Sequence, residues 1–280
     1  MIRSLDARTG AVVGEVALET TPEGLDDACE KAAVASGELR ARGRSGRAAV
    51  LSAMADLLEE RRPELVALAD RETALGETRL NSELTRTCYQ LRLFGEVLRD
   101  GAYLEATIDH PRGTPMGPQP DLRRILEPLG PVGVFGASNF PLAFSVPGGD
   151  TASALAAGCP VVVKAHDAHP ATSLACARAL AEGAQRAGFE GTAVSVVFGE
   201  AAGVALVQHP LIRAVGFTGS LAGGRYLFDV ANRRPSPIPF YGELGALNAI
   251  VVGPAAAAAR GAAIGAGLAA SFSLGVGQFC

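Results

Sequence analysis

The stretch from Gly130 to Lys164 constrains the fold of this chain more than any other part of it. Two apolar runs, Val132 to Phe135 and Val161 to Val163, are separated by a glycine turn and a segment of helical periodicity. A connection of this length, with a helix inside it, joins strands that run parallel. The stretch therefore predicts a strand, a crossover helix and a parallel strand that ends on Lys164.

Further strand candidates follow along the chain and indicate how the sheet continues. They span residues 193–198, 214–217 and 249–252. Helical segments separate the first four of these five strands, which is typical of an α/β fold with a doubly wound parallel sheet. Ligands of such sheets bind outside the carboxyl ends of the strands, where this chain carries Ser138, Asn139 and Lys164.

The N-terminal part of the chain predicts a short hairpin and then a helical layer. Ile2 to Leu5 and Ala11 to Val16 flank an Arg8-Thr9-Gly10 turn. Thr20-Thr21-Pro22-Glu23 is typical of a helix start, because a hydroxyl cap precedes a proline near the first helical position. Apolar residues then recur at helical spacing over residues 48–58, 65–75 and 84–98.

Two changes of pattern divide the chain into regions. Residues 101–128 hold two β-leaning pieces around a loop rich in proline and glycine, which predicts a projecting hairpin that serves in oligomerisation. The alternating pattern breaks near residue 241. We therefore expect a cofactor-binding domain of residues 1–100 and 129–240, and the beginning of a second, catalytic domain in residues 241–280.

Composition and charge exclude several classes of protein. The 280 residues carry a net charge of −4 with acids and bases interspersed, which argues against a nucleic-acid surface or a membrane-surface patch. The N-terminus lacks a secretory pattern, and Arg260 with several glycines interrupts the alanine-rich segment 255–270, so we expect no membrane span. Five cysteines without paired spacing predict reduced thiols in a cytoplasmic protein that has no metal site.

No G-x-G-x-x-G fingerprint follows the Val132 strand, so the dinucleotide question rests on other turns. Residues 198–200 and 216–220 are glycine-rich strand-to-helix turns. In the second turn Ser220 would cap a helix whose free amides hold a pyrophosphate, or it would serve as a plain helix cap. Asn139 follows a strand end, where its amide either donates to a developing oxyanion or satisfies its own turn.

Two further residues could carry out the chemistry. Glu243 is an isolated acid among apolar and small residues, which suits either a general base or a solvated carboxylate at a domain boundary. Cys280 follows a flexible glycine loop and is either an accessible nucleophile or a buried thiol.

Five motifs of this chain together resemble the NAD(P)-dependent aldehyde dehydrogenase family. They are ASNFP (137–141), VVVK (161–164), GFTGS (216–220), ELG (243–245) and GQFC (277–280). Each is weak alone, whereas five in the family's order are highly specific. The resemblance implies a Rossmann-like cofactor domain and a catalytic domain.

The resemblance also implies catalytic roles. Cys280 would attack the aldehyde to form a thiohemiacetal, whose oxyanion the Asn139 amide would hold. Hydride transfer to the nicotinamide would leave a thioester, and Glu243 would activate water to hydrolyse it. Cys280, Asn139 and Glu243 are therefore the implied catalytic residues.

By the same resemblance, Lys164 would bind the adenosine ribose, Ser220 the pyrophosphate, and Thr218 would lie near the nicotinamide. Gly219 and Ser138 belong to the same implied cofactor site, although many members of the family have tryptophan where this chain has Ser138.

The implied choice of cofactor rests on the residues that follow Lys164. Asp167 stands where many members of the family have a glutamate, which pairs with ribose hydroxyls and disfavours a 2′-phosphate. His166 and His169 would favour a 2′-phosphate. We therefore expect NADP as cofactor, with NAD accepted.

Within the family, residues 135–166 and the ending GVGQFC are most similar to the dehydrogenases of 2-oxoglutarate semialdehyde, which oxidise this aldehyde to 2-oxoglutarate. A branch that oxidises long-chain fatty aldehydes with NADP is the alternative. A substrate carboxylate would need an arginine, for which Arg86 and Arg92 are the candidates, and Phe140 would contact the substrate.

Members of the family are longer by about one further domain. The resemblance therefore implies that residues 1–280 alone are inactive and that the full-length enzyme is a homodimer or homotetramer. Two other hypotheses remain at this point, a dehydrogenase that passes the thioester to coenzyme A and a nucleotide-binding module without catalysis.

Overall fold

The structure, a computed structural model, describes residues 1–245, 248–277 and 279. An antiparallel hairpin of β1 (Ile2–Leu5) and β2 (Val12–Ala17) comes first, as the sequence predicts. α1 (Pro22–Ala41) begins after Thr21, whose Oγ1 accepts a hydrogen bond from the Gly24 N–H at 3.2 Å. The predicted helix start is thus confirmed, because the hydroxyl satisfies one free N–H of the first turn.

Three further helices complete the N-terminal layer: α2 (Gly43–Glu60), α3 (Arg62–Thr73) and α4 (Glu77–Asp100). Their apolar residues recur every three or four positions and are buried, for example Leu80, Leu84 and Leu91 of α4. These side chains form one core with Val161 and Val163 of the sheet described below. Helices α2, α3 and α4 therefore lie on the side of the sheet to which Val161 and Val163 point, whereas α1 packs largely on the opposite side.

The segment 101–128 forms the predicted hairpin as two nested antiparallel pairs. β3 (Thr107–Asp109) pairs with β6 (Leu122–Arg124), and β4 (Arg112–Thr114) pairs with β5 (Gly117–Gln119). Ile108, Met116 and Leu122 are exposed on it.

The second half of the chain alternates strands and helices. In order they are β7 (Val132–Phe135), α5 (Gly149–Ala157), β8 (Val161–Lys164), α6 (Pro170–Arg186), β9 (Val194–Val197), α7 (Glu200–Gln208), β10 (Ala214–Thr218), α8 (Leu221–Asn232) and β11 (Phe240–Glu243).

These strands form a parallel sheet in the order β11-β10-β7-β8-β9. Along the chain the sheet first grows from β7 in one direction, and then β10 starts on the other side of β7. This reversal defines a doubly wound fold and confirms the predicted fold class. The register pairs Phe135 with both Lys164 and Phe217, and Thr218 with Glu243, so the carboxyl ends of four strands lie along one edge.

One strand prediction is wrong. Residues 249–252 form no strand, and Val251 is 92% exposed. The fifth strand is instead β11, because the Phe240 ring stacks on Phe217 with a centroid distance of 6.0 Å and the backbone pairs with β10. The predicted start of a second domain at residue 241 falls inside this strand, so the sheet extends beyond it.

α9 (Pro254–Ser273) is exposed along its length and kinks at Arg260, where φ is −150°. Among the described residues this is the one helix whose length and composition would allow it to cross a membrane, with a mean hydropathy of 1.3 over its most apolar window. The sequence predicts no membrane span here, and length and hydropathy alone do not distinguish a membrane-spanning helix from another apolar helix.

Candidate active site and cofactor cavity

Two neighbouring cavities open at the carboxyl ends of β7, β8, β10 and β11, beside the point where the strand order reverses. One measures 570 Å³ and the other 440 Å³. Both are lined by Ser138, Thr218, Gly219 and Ser220. A ligand in one cavity would therefore lie next to a ligand in the other.

The larger cavity contains the predicted catalytic and substrate-contacting residues Asn139, Glu243 and Phe140. The Gly219 N–H donates to the Glu243 carbonyl oxygen at 3.1 Å, which holds the end of β11 against the turn that follows β10. Asn139 and Glu243, which are far apart in the sequence, thus share one cavity. Cys280 lies outside the described residues.

Helix α4 supports the loop that carries Asn139. The Arg79 guanidinium donates to the Asn139 carbonyl oxygen at 2.5 Å. Glu83 Oε1 accepts from the N–H groups of Leu142 and Ala143 at 2.7 and 2.9 Å. Burial raises the pKa of Glu83, although these two donors oppose the rise.

A second carboxyl group, Asp150 in the first turn of α5, stands near Glu243. A Cβ on Gly216 would lie 2.8 Å from Asp150 Oδ2, so β10 needs a glycine here to leave room for the carboxylate. Burial and the negative charge of Glu243 raise the pKa of Asp150. No sequence pattern marks Asp150 as part of the site.

The smaller cavity contains the predicted cofactor residues. Lys164 Nζ lies 2.9 Å from Asp167 Oδ1, and the Lys164 side chain is only 15% exposed. Its stem packs against α7, where a Cβ on Gly203 would lie 3.3 Å from Lys164 Cγ. Glu200, in the first turn of α7, adds a second carboxylate to the lining.

The N-terminus of α8 faces both cavities. Ser220 caps it, and its Oγ accepts from the Gly223 N–H at 3.2 Å. A Cβ on Gly219 would lie 2.9 Å from Phe217 Cζ, so any other residue in this turn would have to displace the Phe217 ring. A capped helix terminus favours an anion, and together with the Lys164 ammonium it fits the phosphates and ribose of a dinucleotide.

The two histidines after Lys164 differ in position. His166 lines the smaller cavity. Its pKa is lowered to about 4, and burial is the largest cause. His169 is fully buried, with Nε2 3.0 Å from the Ala137 carbonyl oxygen and Nδ1 3.3 Å from Ser173 Oγ. The predicted contact of His169 with a 2′-phosphate is wrong, because the ring faces the protein interior.

The structure places the three predicted substrate residues differently. Phe140 and Phe144 both line the larger cavity. The Arg86 guanidinium carbon lies 4.7 Å from the ring centroid of Phe144. Arg92 instead pairs with Asp56 of α2 at 2.8 Å and does not line either cavity.

Arg79 and Glu83 are not among the residues predicted from the sequence, although a sequence signal for Glu83 exists. Glu83 lies three residues after Leu80 and four before Thr87, on the buried face of α4. A carboxylate on such a face needs partners and is a candidate for a polar network. Arg79 lies just beside that face, and no comparable signal marks it.

Comparisons with known proteins agree with the resemblance. The sequence profile of the aldehyde dehydrogenase family matches residues 1–280. The chain is 51% identical over 260 residues to alpha-ketoglutaric semialdehyde dehydrogenase 2 of Azospirillum brasilense, covering 91% of this chain and 49% of that protein. It is 43% identical to alpha-ketoglutaric semialdehyde dehydrogenase of Acinetobacter baylyi, covering 100% of this chain and 53% of that protein.

Solved structures show the same fold. An NADP-dependent enzyme of E. coli superposes with a TM-score of 0.80 at 26% identity, over 100% of this chain and 55% of that one. The chain thus spans about half the length of the curated relatives and of the structure that it matches.

Proposed function

This chain belongs to the aldehyde dehydrogenase family, and from that premise we propose that it takes part in oxidising 2-oxoglutarate semialdehyde to 2-oxoglutarate with a nicotinamide dinucleotide. The observation that carries the proposal is the common rim of the two cavities. It places Asn139 and Glu243 beside the cavity that holds Lys164.

In the proposed reaction the Cys280 thiolate attacks the aldehyde carbon, and the Asn139 side-chain amide donates to the oxyanion that forms. Such a donor contributes on the order of 100-fold to 1000-fold in rate. A dinucleotide held by Lys164 and the N-terminus of α8 would supply the hydride acceptor, and loss of the hydride from the thiohemiacetal carbon would leave a thioester on Cys280. Glu243 then takes a proton from water, the hydroxide attacks the thioester, and the carboxylic acid leaves while the thiol is restored.

For the cofactor we propose NADP, with NAD also accepted. The support is the Lys164 ammonium, which would face the ribose and its 2′-phosphate. His166 adds no positive charge near neutral pH, and the Asp167 and Glu200 carboxylates oppose the 2′-phosphate. We therefore expect a modest preference rather than an exclusive one.

For the substrate we propose that Arg86 attracts the carboxylate at the mouth of the larger cavity and that Phe140 contacts the carbon chain. Arg86 has its guanidinium over Phe144, and such a stacked arginine keeps its edge free for bidentate bonds to an acid.

The proposed assembly is a cytoplasmic homodimer or homotetramer in which the hairpin 101–128 contacts another subunit. The exposed apolar side chains of Ile108, Met116 and Leu122 support an interface there.

The test is an assay of the protein as its gene encodes it. We would measure kcat/KM with NAD and with NADP for 2-oxoglutarate semialdehyde, for pentanal and for a long-chain aldehyde. We expect the semialdehyde to exceed pentanal by roughly 10-fold to 100-fold, as expected for a hydrogen bond to a charged group. A preference for the long-chain aldehyde, or no reduction of either cofactor, would refute the proposal. Cys280→Ala is the control, which should bind cofactor without turnover.

A further inference from the structure

Arg79 occupies an unusual place among the arginines of α4. Its guanidinium carbon lies 4.9 Å from the ring centroid of Phe140 and 5.1 Å from that of Phe279. The two rings are 5.0 Å apart, in an edge-to-face arrangement with an interplanar angle of 65°. One cation thus contacts two aromatic rings from distant parts of the chain, each of which attracts it.

The same guanidinium also contacts the backbone on both sides. It donates to the Asn139 carbonyl oxygen at 2.5 Å. Nη1 is so close to Gly275 that a Cβ there would overlap it, and Gly275 has φ +58°, which favours glycine. Arg79 therefore contacts the segment that carries Asn139 and also Gly275 and Phe279, which precede Cys280 in the sequence.

One turn further along α4, the buried Glu83 carboxylate holds the N–H groups of Leu142 and Ala143. Thr87 follows on the same face, and its Oγ1 donates to the Leu142 carbonyl oxygen at 3.0 Å. The loop after Asn139 is thus fixed at several points to one rigid helix. Arg79, on the same helix, also contacts Gly275 and Phe279.

This arrangement matters because the proposed chemistry depends on the distance between a nucleophile and an oxyanion donor that lie about half the chain apart. A displacement of about 1 Å between such groups can reduce the rate roughly 100-fold. We propose that Arg79 is a positioning residue. Its hydrogen bond to the Asn139 carbonyl and its contacts with the Phe140 and Phe279 rings would fix Asn139 relative to the residues that precede Cys280. The inference rests on the proposed function.

The geometry separates this role from that of a substrate ligand. Arg79 uses a guanidinium nitrogen on a backbone carbonyl, and aromatic rings lie over its face. Lysine could keep the charge, but it has neither the planar face nor the fork of donors. Arg79→Lys should therefore recover only part of what Arg79→Met loses.

We would measure kcat and KM for Arg79→Met and Arg79→Lys in the protein as its gene encodes it. Arg62→Met is the matched control, because Arg62 also donates to a backbone carbonyl of another segment, that of Asn81 at 2.8 Å, but lines neither cavity. We expect Arg79→Met to lower kcat by roughly 10-fold to 100-fold for the semialdehyde and for pentanal alike, while KM for the cofactor is unchanged. Arg62→Met should lower stability and leave kcat unchanged.

A double-mutant cycle with Asn139→Ala tests whether Arg79 acts through Asn139. If it does, Arg79→Met should cost much less in the Asn139→Ala background than in the wild type. Full additivity of the two losses would overturn the proposal.

Two other results would also overturn it. A rise in KM for the semialdehyde alone, with pentanal unaffected, would make Arg79 a ligand of the substrate carboxylate. A loss of stability without a fall in kcat, as in Arg62→Met, would make it a structural residue. Failure of the proposed function is a different result, because then the wild type itself oxidises no aldehyde. In that case the positioning role is tested by the rate at which iodoacetamide alkylates Cys280. An equal rate in the wild type and in Arg79→Met would refute it.

Discussion

In the smaller cavity, the charge of a basic side chain depends on its surroundings as well as on the type of residue. His166 and Lys164 are two positions apart, yet Lys164 has a carboxylate partner 2.9 Å away while burial lowers the pKa of His166 to about 4. Burial and the nearby Lys164 ammonium outweigh the opposing effect of Asp167, so the His166 imidazole stays neutral near neutral pH. A basic residue near a phosphate site therefore need not supply a charge.

This neutrality leads to a prediction about pH. A histidine with the ordinary pKa of about 6.5 would gain charge between pH 7.5 and 5.5 and strengthen NADP binding relative to NAD, by roughly fivefold for one added contact worth about 1 kcal/mol. His166 has its pKa lowered to about 4 and stays neutral over that interval. We expect the ratio of the two Kd values, measured by fluorescence titration, not to shift toward NADP. A shift toward NADP on acidification, abolished in His166→Asn, would contradict this prediction.

At the scale of elements, α3 and α6 are joined through a buried carboxylate. Glu72, near the end of α3, accepts from the N–H groups of Ala171 and Thr172 at 3.0 and 2.8 Å, and from Thr172 Oγ1 at 2.6 Å. These donors belong to the first turn of α6, where N–H groups have no partner within the helix. His169, just before that turn, is bonded to Ala137 of the site loop. The N-terminus of α6 thus contacts Ala137, two residues before Asn139.

Glu72→Gln tests the importance of this connection. An amide presents one oxygen where the carboxylate presents two, so a buried donor is left without a partner at a cost of about 1–3 kcal/mol. We expect the free energy of unfolding in urea to fall by that amount. Glu64→Gln is the control, because Glu64 is an exposed acid of the same helix. Equal stability of the two variants would show that the α6 terminus finds another partner.

At the scale of the whole molecule, the core determines which thiols can react. Cys29, Cys88, Cys159 and Cys176 are all buried. Burial raises the pKa of Cys29 and of Cys88 to about 12, and it also raises that of Cys176. Since the thiolate is the reactive form, Cys29, Cys88 and Cys176 are protected both by burial and by their raised pKa, and Cys159 is protected by burial.

We therefore predict selective alkylation. Iodoacetamide at pH 7.5 should label Cys280 in the folded protein, and peptide mapping should find the other four cysteines labelled only after unfolding in urea. Preincubation with NADP would serve as the control for access through the cofactor cavity. Labelling of Cys29, Cys88, Cys159 or Cys176 at a comparable rate under native conditions would contradict the prediction.

Much of the fold follows from local pattern. β7 and β8 form over the predicted residues, because runs such as VVVK suit a strand buried on both faces. β11 could not be predicted, since FYGE becomes a strand only through pairing with β10 and packing of Phe240 on Phe217. The apolar run 249–252 shows the converse, because high strand propensity without a neighbouring strand yields no strand.

The sequence by itself determined the parallel α/β architecture, the helix caps and the motif residues Asn139, Lys164, Ser220 and Glu243, because these depend on residues close together in the chain. Only the tertiary structure decided that Asn139 and Glu243 share a cavity, that His166 and Asp167 face Lys164, and that Arg79 lies between Phe140 and Phe279. The physical reason is that charge, burial and distance at a site are set by contacts between segments far apart in sequence. Local sequence patterns do not specify these contacts.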